Sequence, residues 1–460
     1  MNLWWIRRDL RLHDNPALHA ALQSGGVIPV FILDPRLLTL SRRRTSFLIA
    51  NLRTLDRALR TLGSSLVVRH GDPSQILPRL VEQTGAQAVY AHADVSPFAR
   101  RQESEVARHV RLQLVGWPSM VPPPAIRTGR GRGYTVYRQF YQRLSSLTLP
   151  EPLPPPARLP PHGVVSEPLP EVPPPWPPGE EAGFRRLKDF IAGPIFQYHR
   201  ERDRIDLEVT SRLSPYLRFG VLSPRVAFHL ARQAMDAAHN SESRKGAARW
   251  LDELLWREFF AHLLFHYPHS RREPLRQDLQ EPEWDNDEQI FRTWCEGQTG
   301  YPLIDAAMRE LRETGWMHNR ARMVVASFLV KNLLLDWRWG EQYFFEHLLD
   351  GDPASNSGNW QWVTGIGTDR RPYLRIFNPV LQGLRFDPAG AYVRRWIPEL
   401  ARVPAPYVHA PWTLPRDDQI AYRCRVGRDY PRPVVDLAAS RQRALDRYRA
   451  IRAAQRRPSR

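Results

Sequence analysis

The first part of the chain alternates short apolar runs with segments in which apolar residues recur at helical spacing. Strands are predicted for the apolar runs Leu3–Ile6, Val27–Leu33, Leu66–Arg69 and Ala88–Ala91. Helices are predicted for the intervening segments Asn15–Gln23, Ser46–Leu62 and Gln75–Thr84. Repeated strand–helix units of this length are typical of a parallel sheet with helices on both faces.

Beyond this region the chain becomes rich in proline and then changes its period. Between Pro150 and Pro178 lie 14 of the 43 prolines. Because proline lacks a backbone N–H and fixes φ, this stretch is predicted to be an extended connector; a ligand for a proline-binding module is the less favoured alternative. From Gly183 onward the pattern contains no strand run and is helical. Long helices are predicted for Trp250–His266 and Gly315–Trp337, with polar interruptions at Glu296–Gly300 and Asp350–Asn359.

The composition adds a strong positive charge and a concentration of tryptophan. The 460 residues include 66 Lys and Arg against 48 Asp and Glu, a net charge of +18. Such a charge attracts polyanions, of which nucleic acid is the most abundant, although a generally soluble basic surface would carry it as well. Of 15 tryptophans, 11 lie between Trp250 and Trp412. This concentration suits stacking on bases or on a cofactor ring as well as core packing.

Several classes of protein are excluded by what the sequence lacks. No apolar run approaches the roughly 18 residues that a membrane-spanning helix needs. Cys295 and Cys424 are too few for a disulfide framework and lack the spacing of metal ligands. No apolar stretch follows Arg7 and Arg8, as it would in a secretory leader. We therefore expect a cytoplasmic, multidomain protein with no membrane segment.

Two segments of the helical part could bind phosphate or a flat ring. The run Thr210–Pro215 places hydroxyls and an arginine where a loop enters a helix, which suits a phosphate, although Ser and Thr also cap ordinary helices. On the helix Trp250–His266, three chemically different side chains, Glu253, Trp256 and Arg257, share one face. Together they could bind an amide edge, stack on a ring and hold a phosphate. The alternative is an amphipathic helix with a Glu253–Arg257 surface salt bridge.

Two further segments carry polar residues without a complete catalytic or metal site. His318 lies beside Asn319 and between arginines, but no nucleophile or second acid accompanies it, so a structural hydrogen-bonding role is favoured. Asp350 and Asp352 supply fewer alternating oxygen ligands than a calcium loop requires. No metal site is predicted.

Taken together, the motifs resemble those of the photolyase/cryptochrome flavoproteins, specifically the class I cyclobutane pyrimidine dimer photolyases. The opening LWWIRRDLRLHDNPAL resembles the start of that family. Seven motifs of the helical part follow in the family's order: TSRLSPYL, WLDELLWREFF, EGQTGYPLIDAAMREL, GWMHNRARM, SFLVKNLLLDWRWGE, LLDGDPASNSGNWQW and RIFNPVLQG. The resemblance covers nearly the whole chain except the proline-rich connector and the basic C-terminal segment.

The resemblance implies both an architecture and an activity. The expected fold is an α/β antenna domain with a five-stranded parallel Rossmann-like sheet at residues 1–130, a proline-rich linker at 131–182 and an all-helical FAD-binding domain at 183–460. The expected enzyme is a deoxyribodipyrimidine photo-lyase that acts on UV-damaged DNA as a monomer. In that family, photoexcited reduced FAD transfers an electron to a flipped-out pyrimidine dimer.

The resemblance also assigns residues to the flavin. FAD would be held by residues from five places in the chain, namely Tyr198, Thr210, Ser211, Arg212, Leu213, Ser214, Trp250, Arg322, Asp350, Gly351 and Asp352. Arg322 would pair with Asp350. Asn356 would face the reactive ring nitrogen of the flavin, where a neutral amide can accept from or donate to that nitrogen.

A second set of residues would bind the damaged DNA. By resemblance, Trp256 and Trp362 would sandwich the dimer, Glu253 and Asn319 would bind its carbonyl and imide edge, and Met323 would line the pocket. Asn319 favours the cyclobutane dimer, since enzymes for the (6-4) photoproduct place a histidine pair in this region. The proposed DNA contacts are Arg202, Arg257, Arg320 and Gln382.

The resemblance also implies residues for electron transfer and a site for an antenna chromophore. Trp284, Trp337 and Trp360 match the family's electron-hopping chain, whereas without the resemblance buried tryptophans would be taken as core. The usual Asn-Asn-Gly-Gly-Trp of the family reads here as the segment 356–360, Asn-Ser-Gly-Asn-Trp. Ser96-Pro97 replaces the Asn-Glu pair of folate-binding members, so 8-hydroxy-5-deazaflavin is favoured over folate as an antenna, and the lack of any antenna also fits.

Three rival functions stay open at this stage. A cryptochrome-type photoreceptor shares the scaffold, but Asn356 and the set Glu253, Trp256, Asn319 and Trp362 favour repair. A dark flavin or nicotinamide oxidoreductase would need a Gly-x-Gly-x-x-Gly turn after the first strand, where Arg7–Arg11 stands instead. A non-enzymatic nucleic-acid binder is compatible with the charge alone and would bind no flavin.

Overall fold

The computed structural model describes residues 1–277, 281–368 and 376–455, with side chains described as far as Ile451. By its contacts the described chain forms two compact units. The first unit consists of Met1–His199, Thr210–Pro268 and Leu349–Ser355, and the second of Arg200–Val209, His269–Leu348 and the chain from Asn356. The domain boundaries predicted after residues 130 and 182 stay a prediction.

The first unit contains a five-stranded sheet in which all pairings are parallel. Its strands are β1 (Asn2–Ile6), β2 (Val27–Leu33), β3 (Val67–His70), β4 (Val89–Ala91) and β5 (Leu112–Leu114), in the spatial order β3-β2-β1-β4-β5. Leu3 of the central strand aligns with Ile28 on one side and Val89 on the other. Every residue of β1 and β2 is buried, as expected for a sheet covered on both faces. The predicted Rossmann-like sheet is confirmed.

Helices surround the sheet and continue beyond it in the first unit. They are α1 (Pro16–Gln23), α2 (Pro35–Leu38), α3 (Arg42–Thr61), α4 (Pro73–Thr84), α5 (Pro97–Val106), α6 (Tyr137–Ser145), α7 (Glu180–Ala192), α8 (Tyr198–Glu201), α9 (Ser214–Phe219), α10 (Pro224–Asp236) and α11 (Ser241–His266). The three helices predicted between strands are confirmed as α1, α3 and α4. The linker predicted at 131–182 also contains α6, which buries Phe140 and Leu144. At nine residues, its amphipathic pattern was too short to be recognised as a helix.

The proline-rich stretch is extended, as predicted, and lies along the sheet. Glu167 N–H donates to the carbonyl of Val68 at 3.1 Å, and Val68 N–H donates to Ser166 Oγ at 2.9 Å. Leu159 N–H likewise donates to the carbonyl of Leu62 at 2.8 Å. Because Val68 belongs to β3, the connector satisfies backbone groups of a strand at the end of the sheet order.

The second unit is helical in the residues that the structure describes. Its helices are α12 (Glu288–Glu296), α13 (Pro302–Thr314), α14 (Asn319–Ser327), a π-helix (Phe328–Asn332), α15 (Trp337–His347), α16 (Pro353–Thr364, which begins in the first unit), α17 (Pro379–Phe386), α18 (Ala391–Trp396), α19 (Arg416–Ala421) and α20 (Leu437–Gln455). A core of aliphatic and aromatic side chains, among them Trp294, Trp337 and Phe328, fills the interior of this unit.

Two predictions about these helices were wrong. The single helix Gly315–Trp337 is interrupted, because Leu334 adopts a φ of 54° and Asp336 then caps α15 by accepting from Arg338 N–H at 2.9 Å. The interruption predicted at Asp350–Asn359 is helical from Pro353. Asp352 Oδ1 accepts from the N–H groups of Ala354 and Ser355, which starts α16 despite its small polar residues.

A buried histidine at the end of β4 makes the first unit sensitive to acid. Burial lowers the pKa of His92 from 6.5 to about 4; the carboxylate of Asp9, 4.0 Å from Nε2, opposes this shift and the charge of Arg11 adds to it. The unfolded chain therefore binds more protons than the folded chain between these two values. The stability that His92 contributes as a neutral side chain is complete above pH 6.5 and is lost as the pH falls towards 4.

We expect the free energy of unfolding of the wild type to fall over this pH range by about 3 kcal/mol more than that of a His92→Gln variant. Urea unfolding monitored by circular dichroism at several pH values measures the difference. His239→Gln, which alters an exposed imidazole, should keep the wild-type slope. Identical slopes for His92→Gln and the wild type would contradict the assignment.

Candidate functional site

The face of α11 that carries Glu253 and Trp256 is the best-defined part of the candidate site in the first unit. Arg249 bridges two acids on the same helix, with Nη1 3.0 Å from Asp252 Oδ2 and Nη2 3.0 Å from Glu253 Oε1. The ring of Tyr137, from α6, stacks on Trp256 with centroids 3.8 Å apart and planes 6° apart. Both Glu253 and Trp256 remain half-buried, so each can still contact a ligand.

The side chain of Arg257 binds partners other than the phosphate or Glu253 predicted from the sequence. Its Nη2 donates to the carbonyl of Pro118 at 2.9 Å, and its Nη1 lies 3.2 Å from Glu258 Oε1. Glu258 also accepts from Met120 N–H at 2.7 Å. Burial raises the pKa of Glu258 to about 7, against the opposing charge of Arg257. Arg257 thus holds the loop before residue 121, and the predicted alternative of a Glu253–Arg257 salt bridge is replaced by Arg249–Glu253.

The predicted phosphate-binding run lies in the loop that enters α9. Thr210 to Arg212 are half-buried, and Ser211 Oγ accepts from the indole N–H of Trp250 at 3.3 Å. Arg212 adopts a φ of 48°, which turns the backbone sharply before the helix. Phe190 packs between Trp250 and Tyr198, with ring centroids 5.2 and 5.9 Å away. Hydroxyls beside a guanidinium and an aromatic wall fit the diphosphate and adenine parts of a dinucleotide.

The segment Asp350–Asp352 is fixed by two arginines of the first unit. Arg8 Nη2 lies 2.5 Å from Asp352 Oδ2, and Arg218 Nε donates to the carbonyl of Gly351 at 2.9 Å. Burial alone would raise the pKa of Asp352, but the charges of Arg8 and Arg218 hold it far below its usual range. Asp352 is therefore an ionised cap of α16.

In the second unit the amide of Asn356 is oriented by Glu341. Nδ2 of Asn356 donates to the backbone carbonyl of Glu341 at 2.8 Å and to its carboxylate at 2.6 Å. Arg271 Nη1 lies 2.6 Å from the other oxygen of this carboxylate. Because both acceptors require the NH2 group on this side, the amide oxygen of Asn356 is the atom left to bind a ligand.

The helix α14 carries four of the predicted residues. Asn319 and Met323 lie four positions apart and share a face, with Asn319 exposed and Met323 half-buried. Arg322 Nε donates to the carbonyl of Met317 at 2.8 Å. His318 caps the helix, since its Nδ1 accepts from Arg320 N–H at 3.1 Å. The structural role predicted for His318 is confirmed.

The predicted DNA contacts of this unit lie near an acid. Asp203 Oδ2 is 2.6 Å from Arg320 Nη2, and Asp203 Oδ1 is 3.6 Å from Arg202 Nε. Burial would raise the pKa of Asp203, but the hydrogen bond and charge of Arg320 lower it below its usual range. Gln382 is half-buried on α17. The two arginines are therefore held in place by a shared carboxylate rather than mobile in solvent.

The three tryptophans predicted to carry electrons have different environments in the second unit. Trp337, at the start of α15, is fully buried and donates its indole N–H to Glu281 Oε2 at 3.2 Å. Trp284 is half-buried. Trp360, on α16, packs edge-on against Phe344 with centroids 5.1 Å apart. Trp362, the predicted dimer contact on the same helix, is half-buried.

Several contributors to the site were not predicted. Arg249 could have been found from its spacing of four residues before Glu253 on one helix. Glu341 and Glu281, which bind Asn356 and Trp337, gave no local signal because their partners are distant in sequence. Tyr137 stood within the segment predicted as linker, 119 residues before Trp256 (256 − 137). No group of three or more potential metal ligands occurs among the described residues.

Comparison with known proteins identifies the photolyase/cryptochrome class of flavoproteins. Two family models match, "DNA photolyase" over residues 2–158 and "FAD binding domain of DNA photolyase" over residues 250–450. The chain belongs to the DNA photolyase family. The class I assignment within that family stays a prediction.

Individual relatives match along the whole chain. A deoxyribodipyrimidine photo-lyase of Thermus thermophilus is 42% identical over 450 residues, which cover 96% of this chain and 97% of the relative. A class III photolyase structure from Agrobacterium tumefaciens has a TM-score of 0.91 at 37% identity and covers 98% of this chain and 97% of its own. A cryptochrome structure from Synechocystis sp. has a TM-score of 0.90 at 31% identity, with 97% and 99% covered.

Proposed function

We propose that this chain is a deoxyribodipyrimidine photo-lyase that uses light to split cyclobutane pyrimidine dimers in DNA. The observation that carries the proposal is the joint presence of Glu253 and Trp256, half-buried on one face of α11, in a member of the DNA photolyase family. A carboxylate beside an indole can read the imide edge of a pyrimidine and stack on its ring at the same time.

FAD is proposed to be held by the residues that the family resemblance assigns to it. Its diphosphate would be bound by Thr210, Ser211, Arg212, Leu213 and Ser214, and its adenine side would be flanked by Tyr198 and Trp250. The flavin side would be addressed by Arg322 and the segment Asp350–Asp352. When bound and reduced, FAD supplies the electron that light transfers to the dimer.

Asn356 is proposed to control the hydrogen bonding of the flavin's reactive nitrogen. Because the amide NH2 of Asn356 donates to Glu341, its oxygen would accept a hydrogen bond from the flavin nitrogen when that nitrogen carries a proton. An aspartate at this position would put a second carboxylate beside Glu341, and the two charges would repel each other.

The dimer must leave the duplex to reach the pocket, since a stacked base is inaccessible to chemistry. Trp256 and Trp362 are proposed to stack on the extruded dimer. Glu253 and Asn319 would bind its polar edge, and Met323 would line the pocket. Stacking compensates for the base contacts that are lost when the dimer leaves the helix.

Backbone contacts are proposed for Arg202, Arg320 and Gln382. Asp203 keeps both arginines in a fixed orientation, which reduces the side-chain entropy lost when a phosphate binds. Arg257 is left out of this set, because its guanidinium is engaged by Pro118 and Glu258.

Trp284, Trp337 and Trp360 are proposed to pass electrons inward when the flavin is oxidised. The carboxylate of Glu281 stabilises positive charge on the indole of Trp337, to which it is hydrogen-bonded. Arg338 pairs with the same carboxylate at 2.5 Å and thereby limits this stabilisation.

The finer properties of the protein are proposed as follows. It acts on UV-damaged DNA as a monomer in the cytoplasm, with 8-hydroxy-5-deazaflavin favoured over folate as an antenna. In the part of the chain that the structure describes, no helix has the length and apolar character needed to cross a bilayer. Denaturing extraction followed by mass analysis identifies the chromophores, and a folate or a second flavin would overturn the antenna proposal.

The function is tested with purified protein, chemically reduced, and an oligonucleotide that carries one thymine dimer. Blue light is expected to restore absorption at the thymine maximum in proportion to the photons absorbed, and the same sample in the dark should leave the dimer intact. Light-dependent flavin reduction without dimer loss would instead favour a cryptochrome-type photoreceptor. A preparation that takes up no flavin would contradict both functions.

A further inference from the structure

We propose that Tyr137 is a positioning residue for dimer recognition, which fixes the plane of the Trp256 indole. The inference rests on the function proposed above. It assigns a role in binding damaged DNA to a helix that lies in the segment predicted as linker.

The first argument is the covered face of Trp256. At a centroid separation of 3.8 Å and an interplanar angle of 6°, Tyr137 occupies one whole face of the indole. Phe259 meets the same indole edge-on, with centroids 5.8 Å apart and planes at 79°. Packing on one face and one edge restrains the rotation of the indole and leaves the face opposite Tyr137 for a flat ligand. Tyr137 therefore defines the side from which a pyrimidine can stack.

The second argument is that the phenol of Tyr137 is itself held on α11, beside the polar group that includes Glu253. The phenol oxygen lies 3.4 Å from Asp252 Oδ1 and the same distance from the Asp252 carbonyl. Arg249 then joins Asp252 to Glu253, with 3.0 Å at each carboxylate. Burial, and after it the charges of Asp252 and Glu253, raise the pKa of Tyr137, so the phenol keeps its proton and can only donate to an acid here.

The third argument is that α6 does not need Tyr137 for its own attachment. Phe140 is buried and contacts Phe259 and His262, with ring centroids 5.3 and 5.0 Å away. Leu144, one turn further on, is buried as well. Tyr137 is only half-buried, so it contributes less to the packing of the helix than these two residues. Its stacking on Trp256 is thus separable from the folding of the segment.

The test uses Tyr137→Leu, which removes the flat ring, Tyr137→Phe, which keeps it, and Tyr141→Leu as a control on the same helix. Tyr137→Leu is expected to weaken binding of dimer-containing duplex by about threefold to tenfold, with undamaged duplex unaffected. Repair per bound dimer and absorbed photon should be unchanged, because the chemistry is not altered. Tyr137→Phe should bind within about twofold of the wild type, since the hydrogen bonds lost are long.

A double-mutant cycle separates positioning from general damage to the fold. In a Trp256→Leu background, Tyr137→Leu should cause no further loss of dimer binding. The near-ultraviolet circular dichroism of the protein without DNA should change on Tyr137→Leu in the wild-type background and not in the Trp256→Leu background.

The outcomes distinguish this inference from the proposed function. If the wild type prefers damaged DNA but Tyr137→Leu binds it equally well, or if the losses from Tyr137→Leu and Trp256→Leu are additive, the positioning role is refuted and the function stands. If the wild type shows no preference for damaged DNA, the proposed function itself fails.

Discussion

Trp256→Ala is expected to weaken binding of dimer-containing DNA by about 5-fold to 100-fold, which is the effect of removing one aromatic platform from a stacked base. The substitution also removes the ring on which Tyr137 stacks, so the loss of affinity should lie towards the upper end of this range. Binding is measured by fluorescence anisotropy with a labelled duplex that carries a single dimer. Undamaged duplex should bind as before, because phosphate contacts are untouched.

The matched control for this prediction is Trp176→Ala. Trp176 lies in the same unit, is also half-buried and contacts the guanidinium of Arg186 at 5.3 Å instead of the proposed pocket. It should keep the preference for damaged DNA. If both alanine variants lost dimer binding equally, the loss would come from reduced stability of the fold. If Trp256→Ala bound the dimer as well as the wild type does, α11 would not be part of the lesion site.

Gly340→Ala is expected to displace the indole of Trp360. A Cβ at position 340 would lie 2.1 Å from Cη2 of Trp360, which is itself 2% exposed. The buried indole must therefore move, and we expect a loss of about 1–3 kcal/mol in the free energy of unfolding. Photoreduction of oxidised flavin should become slower, whereas repair by chemically reduced enzyme should persist in the folded fraction.

Gly129→Ala provides the control, because a Cβ there meets no atom within 4 Å and the backbone does not lie in the left-handed region. The rate of photoreduction is measured from the flavin absorption during timed illumination, and stability is measured by thermal unfolding. If Gly340→Ala is destabilised but photoreduces at the wild-type rate, Trp360 is a core residue and does not carry electrons inward.

The sheet was predictable where the apolar pattern was continuous. All seven residues of β2 are apolar and buried, and its bounds agree with the prediction. The edge strand β5 is only three residues long, with half-exposed or exposed side chains, and no apolar run located it. In the helical part, Leu333 to Leu335 preserved the helical period, while the break depended on the φ of Leu334, which a periodicity cannot reveal.

The candidate site was predictable where its members are close in sequence. Glu253 and Trp256 share a helix face by spacing alone. Arg257, four residues after Glu253, is predicted to share that face as well, but the direction of its side chain is set by the carbonyl of Pro118, which only the folded chain brings near. The partners Tyr137 and Glu341 likewise depend on tertiary contacts, so the family resemblance supplied residue roles but not the side chains that orient them.

The proline-rich connector has a further consequence for behaviour at high concentration. Strand β3 ends the spatial order of the sheet, and such edges can pair with strands of other molecules. Ser166 Oγ accepts from the N–H of Val68 and Glu167 N–H donates to its carbonyl, so both backbone groups of Val68 are occupied, and the Glu167 carboxylate accepts from His70 N–H at 3.0 Å. The segment thus covers the edge strand and prevents intermolecular β-pairing, and we expect a chain that is cleaved or shortened here to aggregate through this edge.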